Sequence, residues 1–177
     1  METEPTSPRE LYPILEFDPS RQALIEPART IKPIDAPECC VLCFFQETLA
    51  KVFRERSAKT IATLKWKDGP HLLSEIGVDG KRLAVLHPGV GAPMAAALLE
   101  EAIALGCRKF IACGGAGVLD KDIVVGHILV PATAVRDEGT SYHYLAPARE
   151  VGASANGVAA IERVLRAEQI DYLVSKT

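Results

Sequence analysis

Two glycine-rich loops are the parts of this sequence best suited to chemistry on a small ligand. Cys113-Gly114-Gly115-Ala116-Gly117 places three glycines within four residues. With no side chains in the way, a ligand can come close to that backbone and take hydrogen bonds from its amides. A strand turning sharply in a crowded place is the plain alternative. The other loop, Pro88-Gly89-Val90-Gly91-Ala92, leads into a segment rich in Ala, Leu and Glu. Met94 stands where a dinucleotide fingerprint has its third glycine, and the Lys-Ser/Thr of a phosphate loop is missing. A tight turn into a helix accounts for this loop equally well.

Other side chains invite chemical readings that weigh less. Cys40-x-x-Cys43 has half the spacing of a zinc or redox motif, yet it lies in the apolar run Cys40-Val41-Leu42-Cys43-Phe44-Phe45. No second Cys/His pair at ligand spacing completes a tetrahedral set, so buried thiols behaving as small hydrophobes are expected, with no metal and no cofactor. His143, between Tyr142 and Tyr144, has an acid/base side chain for neutral pH, and packing or subunit contact is its alternative. Arg136 with Asp137 and Glu138 could charge a site, whereas neighbouring opposite charges on a loop are more often solvated pairs worth little. Trp66, Phe44 and Phe45 could stack on a base, against a default of core packing. His87 and His127 fall at strand ends with no obvious partner, so a core or loop role is their default.

The elements that must position these residues read as an α/β pattern from Cys40 onward. Val41–Phe45 reads as a buried strand, and Leu49, Val52 and Phe53 have helical spacing within 46–56. Strands are predicted over 59–66, 72–78, 82–87 and 108–113, and Asp79-Gly80 is a hairpin turn signal. Pro93 and Gly106 bracket a helix. Further strands are predicted at 123–131, 132–136 and 171–176, and a helix at 156–167. Strands alternating with helices point to a mostly parallel or mixed sheet. Residues 1–38 hold seven of the 12 prolines and read as an extended arm with apolar anchors, ahead of a domain over 39–177.

Composition narrows the partners. A formal net charge of -3 with scattered Lys and Arg disfavours nucleic acid. No apolar run approaches the ~18 residues of a membrane span, and the N-terminus has no basic stretch followed by an apolar one. Five cysteines, an odd set, point to reduced thiols. A cytoplasmic address is the expectation.

Pro88-Gly89-Val90-Gly91-Ala92-Pro93, the helix through Leu98–Gly106, the loop Gly114–Gly117, and Val125-Gly126-His127-Ile128-Leu129-Val130 together resemble the nucleoside phosphorylase family. Ala134–Tyr144 looks particularly like its uridine phosphorylase branch. The resemblance implies a three-layer αβα fold with a mixed, partly closed sheet, homo-oligomers of two or more chains, and cleavage of a nucleoside N-glycosidic bond with phosphate as nucleophile. Water takes that part in the related nucleosidases, and a non-catalytic binding or assembly module is a further reading. The implied ligands are a nucleoside or nucleobase, with phosphate as a second. Gly114, Gly115, Ala116, Gly117 and Phe45 are the implied substrate-binding residues, and catalytic residues stay unassigned.

Several family positions differ here. The phosphate arginine after the first strand falls on Thr48, a second on Ala112, and the hydroxyl residue of the glycine loop on Gly115. The arginine that a neighbouring subunit lends has no counterpart between Ala58 and Gly80, where Lys59, Lys65 and Lys67 could act only as point charges. The family's ribose clamp and general acid lie beyond a strand beginning near Tyr172. The 177 residues therefore read as a domain incomplete at its C-terminal end, with weak or no turnover expected.

Overall fold

The computed structural model describes residues 10–177. The chain forms two compact units: Arg21–Ala116, and the described residues up to Ser20 with Gly117–Thr177.

The first unit runs α1 (Pro27–Thr30), β1 (Cys39–Cys43), α2 (Gln46–Glu55), β2 (Lys59–Trp66), β3 (Gly69–Val78), β4 (Lys81–Leu86), α3 (Ala92–Leu105) and β5 (Lys109–Cys113). Its five-stranded mixed sheet has the order β2-β3-β4-β1-β5. The meander β2-β3-β4 is antiparallel, and β1 pairs in parallel with both β4 and β5. Val78 pairs with Lys81, so Asp79 and Gly80 make a two-residue turn. Both have positive φ, 49° and 73°, which matches the twist of a hairpin.

Because side chains alternate along a strand, β1 and β4 feed two cores. Cys40, Leu42, Ala84 and Leu86 pack with Leu73 against Leu98, Ala102 and Leu105 of α3. Cys43 and Val85 pack with Ile76 against Leu49 of α2. A helix therefore covers each face, and three layers result. Strands buried on both sides need a continuous apolar run, which is why β1 reads Cys-Cys-Val-Leu-Cys rather than alternating.

The segment before β1 straps the end of α3. Ile34 donates its N–H to the Leu105 carbonyl at 2.9 Å, and Ile31 and Ala36 pack on the core. Gly106 has φ 132°, and a Cβ there would lie 3.2 Å from the Ile34 carbonyl oxygen. Arg82 fastens the same segment, donating to both carboxylate oxygens of Asp35 and to Glu75. Its guanidinium holds the Glu75 carboxyl below the usual range.

The second unit holds β6 (Ile128–Val135), β7 (Glu150–Gly152), α4 (Ala155–Ala167) and β8 (Tyr172–Lys176). β6 is central, antiparallel to β7 and parallel to β8. The sequence pattern suggested two strands, 123–131 and 132–136; the structure has one. Pro131 cannot donate to the ladder, so the register shifts between Pro131 and Thr133 and the strand continues past it. Short helical turns at Pro13–Leu15 and Pro27–Thr30 interrupt the proline-rich segment.

Leu73, fully buried between the strands and α3, tests this core. Leu73→Ala should cost about 2–5 kcal/mol in denaturant unfolding, while Leu72→Ala, at an exposed position on the other face, should cost under about 1 kcal/mol. Equal losses would mean that the sheet does not face α3 as described.

Candidate functional site

The carboxyl ends of β4, β1 and β5 lie side by side on one edge of the sheet. Leu42 pairs with Leu86 and Cys43 with Cys113, so the three strands end within a residue of one level. The chain leaves β1 toward α2 on one face and leaves β4 toward α3 on the other. Adjacent loops that part to opposite faces open a crevice, the place where open α/β sheets take ligands.

Phe44 and Phe45 form the β1 lip of that crevice, each partly exposed. The Phe44 N–H donates to the Cys113 carbonyl at 2.9 Å, tying this lip to the glycine loop after β5. A Cβ on Gly114 would stand 3.2 Å from the Phe44 ring, while one on Gly115 would stand 3.6 Å from Phe45 Cε1. Gly114 is thus glycine because an aromatic ring lies over it. Gly115 keeps open backbone beside Phe45. Of the residues singled out in the sequence, the structure places Gly115 beside Phe45, while Gly114 lies under Phe44. Ala116 ends this unit, and Gly117 begins the other; a Cβ on Gly117 would meet nothing within 4 Å.

The β4 lip is His87-Pro88-Gly89-Val90-Gly91. The Gly89 N–H donates to His87 Nδ1 at 3.2 Å, and the His87 and Phe44 rings lie edge to face with centroids 6.5 Å apart. His87 therefore belongs to the crevice, although its sequence position suggested only a core or loop role. The signal available was a histidine just ahead of a Gly-x-Gly turn that leads into a helix. Gly91 caps α3 with φ 94° and no side-chain cap, so the first-turn amides of a 14-residue helix face this edge. Pro93 has no N–H to add, and the Ala95 N–H already bonds the Gly91 carbonyl. α2 also starts here without a side-chain cap, but Glu47 in its first turn offsets the dipole.

No Lys or Arg occurs in residues 44–50, 87–95 or 113–117. The crevice is built from amides, aromatic edges, one imidazole and thiols. Burial, and then the Cys43 thiol beside it, push the Cys113 thiol up to about 11, which keeps it protonated at neutral pH. Cys40 lies deeper, its thiol also raised by the hydrogen bond with Cys107 and by burial. Among the described residues, no group of three or more His, Cys, Asp and Glu could hold a metal ion.

The remaining candidates lie elsewhere. Lys65, Trp66 and Lys67, with Glu101 of α3, line a recess of about 420 Å3 at the end of β2, two strands from β4. Burial pushes the Glu101 carboxyl up, opposed by a hydrogen bond from Trp66. In the other unit Arg136 is buried. It donates to Ser141 Oγ and to the carbonyls of Ser141, Leu145 and Ala146, and lies 4.5 Å over the Tyr142 ring. Its donors brace the 140–146 loop rather than meet a ligand. The Ser141 hydroxyl and amide hold the Glu138 carboxyl below its usual range, and His143 is exposed.

Gly89 is the position where the crevice tolerates least change. Its φ is 72°, and a Cβ there would fall 2.4 Å from Met94 Cγ. Gly89→Ala should destabilise the chain by about 1–3 kcal/mol in denaturant melts, with Gly117→Ala within about 0.5 kcal/mol of the parent. A neutral Gly89→Ala would show that this loop is not held as described.

Comparison with known proteins places this arrangement. Residues 40–175 match the Phosphorylase superfamily. Guanosine phosphorylase from Halorubrum lacusprofundi is 39% identical over 66 residues, which are 37% of this chain and 27% of that protein. Uridine phosphorylase from Haemophilus influenzae is 29% identical over 100 residues, 56% of this chain and 40% of that one. The aligned stretches thus span less than half of these curated relatives. The crystal structure of uridine phosphorylase from Vibrio fischeri superposes with a TM-score of 0.72 at 21% identity, covering 83% of this chain and 60% of that one. That is a likeness of fold. Since the superfamily match runs from β1 into β8 and takes in all three loops of the crevice, the chain belongs to the phosphorylase superfamily.

Proposed function

We propose that the crevice at the ends of β4, β1 and β5 binds a nucleoside, and that the chain serves phosphate-dependent cleavage of its N-glycosidic bond. The observation that carries this reading is the joining of the Phe44-Phe45 lip to Gly114-Gly115, through the Phe44 amide and the close approach of Phe44 to Gly114. Open glycine backbone beside a partly exposed Phe45 ring suits a flat base, which gains apolar burial on one side and amide hydrogen bonds on the other. Ala116 extends the same backbone stretch.

The free first-turn amides of α3 are the proposed place for phosphate, since a helix N-terminus carries partial positive charge and free donors. Phosphate held there would attack the sugar carbon as the base departs with the bonding electrons. The sugar passes through a cationic state that the anion stabilises. With no Lys or Arg in the three loops, anion recruitment is weak, and turnover by the 177 residues is slow.

Titrating the purified chain calorimetrically with uridine, guanosine and inorganic phosphate tests the reading. A nucleoside should bind, phosphate alone should bind no tighter than about 1 mM, and any base released should require phosphate. Absence of heat with every nucleoside and free base would sink the assignment, and phosphate-independent release would make the reaction a hydrolysis.

Self-association and a cytoplasmic address accompany this reading. Among the described residues, no helix is long and apolar enough to cross a membrane. β5 ends the five-stranded sheet and β8 ends the three-stranded one, with Ile111, Leu173 and Val174 exposed along them. Strand edges with exposed apolar side chains favour pairing with another chain. Light scattering at micromolar concentration should give a dimer or larger; a clean monomer would contradict it.

A further inference from the structure

His87 stands on the β4 lip with one ring nitrogen committed and the other without a hydrogen-bond partner among the described residues. A backbone N–H can only donate, so the 3.2 Å contact from Gly89 makes His87 Nδ1 an acceptor. In the neutral ring the proton then resides on Nε2. Nε2 has no hydrogen-bond partner among the described residues, whose buried side-chain nitrogens and oxygens all have one, so it reaches solvent. The Gly89 amide engages Nδ1, and the Phe44 ring packs against the imidazole at an interplanar angle of 62°. The donor is therefore held in one orientation before any ligand arrives, and little rotamer freedom is lost on binding.

We propose that His87 is a ligand-contacting residue of the crevice, donating its Nε2 hydrogen to an acceptor oxygen of the bound nucleoside or phosphate. The proposal rests on the nucleoside reading above. Its physical support is the placement of an oriented, unpartnered N–H where the β1 and β4 loops part to opposite faces, in a crevice whose loops carry no Lys or Arg. The amide-to-Nδ1 bond alone does not make a site. His127 accepts the Val124 N–H in the same way at 3.3 Å, but it is exposed, in the other unit, on a loop without such an opening. That residue serves as the control.

The test compares the purified parent chain with His87→Phe, His87→Gln and His127→Phe. Phe keeps a ring against Phe44 and removes both nitrogens; Gln keeps an N–H donor and an acceptor. Calorimetry with uridine, guanosine and inorganic phosphate should show His87→Phe weakening binding roughly three- to tenfold. His87→Gln should stay within about twofold of the parent, and His127→Phe should be unchanged. Loss confined to the nucleosides places the acceptor oxygen on the nucleoside, and loss confined to phosphate places it there. Nitrogen NMR of the parent chain gives a readout independent of any variant's folding. The His87 ring should be the Nε2–H tautomer, and its Nε2 resonance should shift on saturation with the ligand that binds. Parent-like binding by a folded His87→Phe, or an unmoved Nε2 resonance, would overturn the proposal while leaving the nucleoside reading intact. A parent chain that binds neither nucleoside nor phosphate overturns both, at the first titration.

Discussion

β1 is paired on both edges and covered on both faces, and the crevice exists because of that placement. Parallel neighbours cannot be joined by a tight turn, so the chain must cross over between strands. One crossover leaves β1 through α2, and the other leaves β4 through α3, on opposite faces of the sheet. The loops at the ends of β1 and β4 are thereby forced apart. A slip of one residue in β1 would exchange Cys40 and Leu42 for Val41 and Cys43 on the α3 face. It would also carry Phe44 away from the Cys113 carbonyl. Each buried leucine of the α3 core contributes about 1.5–3 kcal/mol, so the same burial that stabilises the sheet fixes the level at which its strands end.

Backbone conformation sets the shape of the lips. Gly89 and Gly91 have positive φ, and the first has Met94 packed where a Cβ would be, so the β4 loop turns directly into α3. Gly114 has no such dihedral need. Its constraint is the Phe44 ring, a requirement of space alone. Two glycine loops that look alike in sequence are thus glycine-rich for different reasons, one for the turn and one for close approach.

Much of the first unit was legible in the sequence. β2 occupies 59–66 as its pattern predicts, and Asp79-Gly80 forms the expected two-residue turn. Residue type alone determines these features. The pattern predicts two strands that meet at Pro131, but a register shift in the neighbouring pairing lets β6 run through it. Arg136 and His87 exchanged importance for a similar reason. The charge of Arg136 is visible in sequence, yet what disposes of it is a set of carbonyls up to ten residues away. His87 gains its place only because Phe44, 43 positions earlier, lies across from it just past the end of the next strand.

The lack of cationic side chains in the crevice bears on how the proposed reaction would be ordered. A helix N-terminus contributes about 0.3–1 kcal/mol to an anion, or about 2 kcal/mol where partly buried. Millimolar affinity requires about 4 kcal/mol. Phosphate alone therefore has too little to hold it at the α3 terminus. A base against Phe45 and the glycine backbone fares better, since each 100 Å2 of apolar surface removed from water contributes about 2.5 kcal/mol. The nucleoside would occupy the crevice first. As the glycosidic bond lengthens, positive charge grows on the sugar, and at ~4 Å a full unit charge attracts an anion by about 4 kcal/mol at an effective dielectric constant near 20. That attraction is absent from the ground state. On this assignment the site holds phosphate more tightly as the transition state is approached than before it, and such differential binding is what accelerates a reaction.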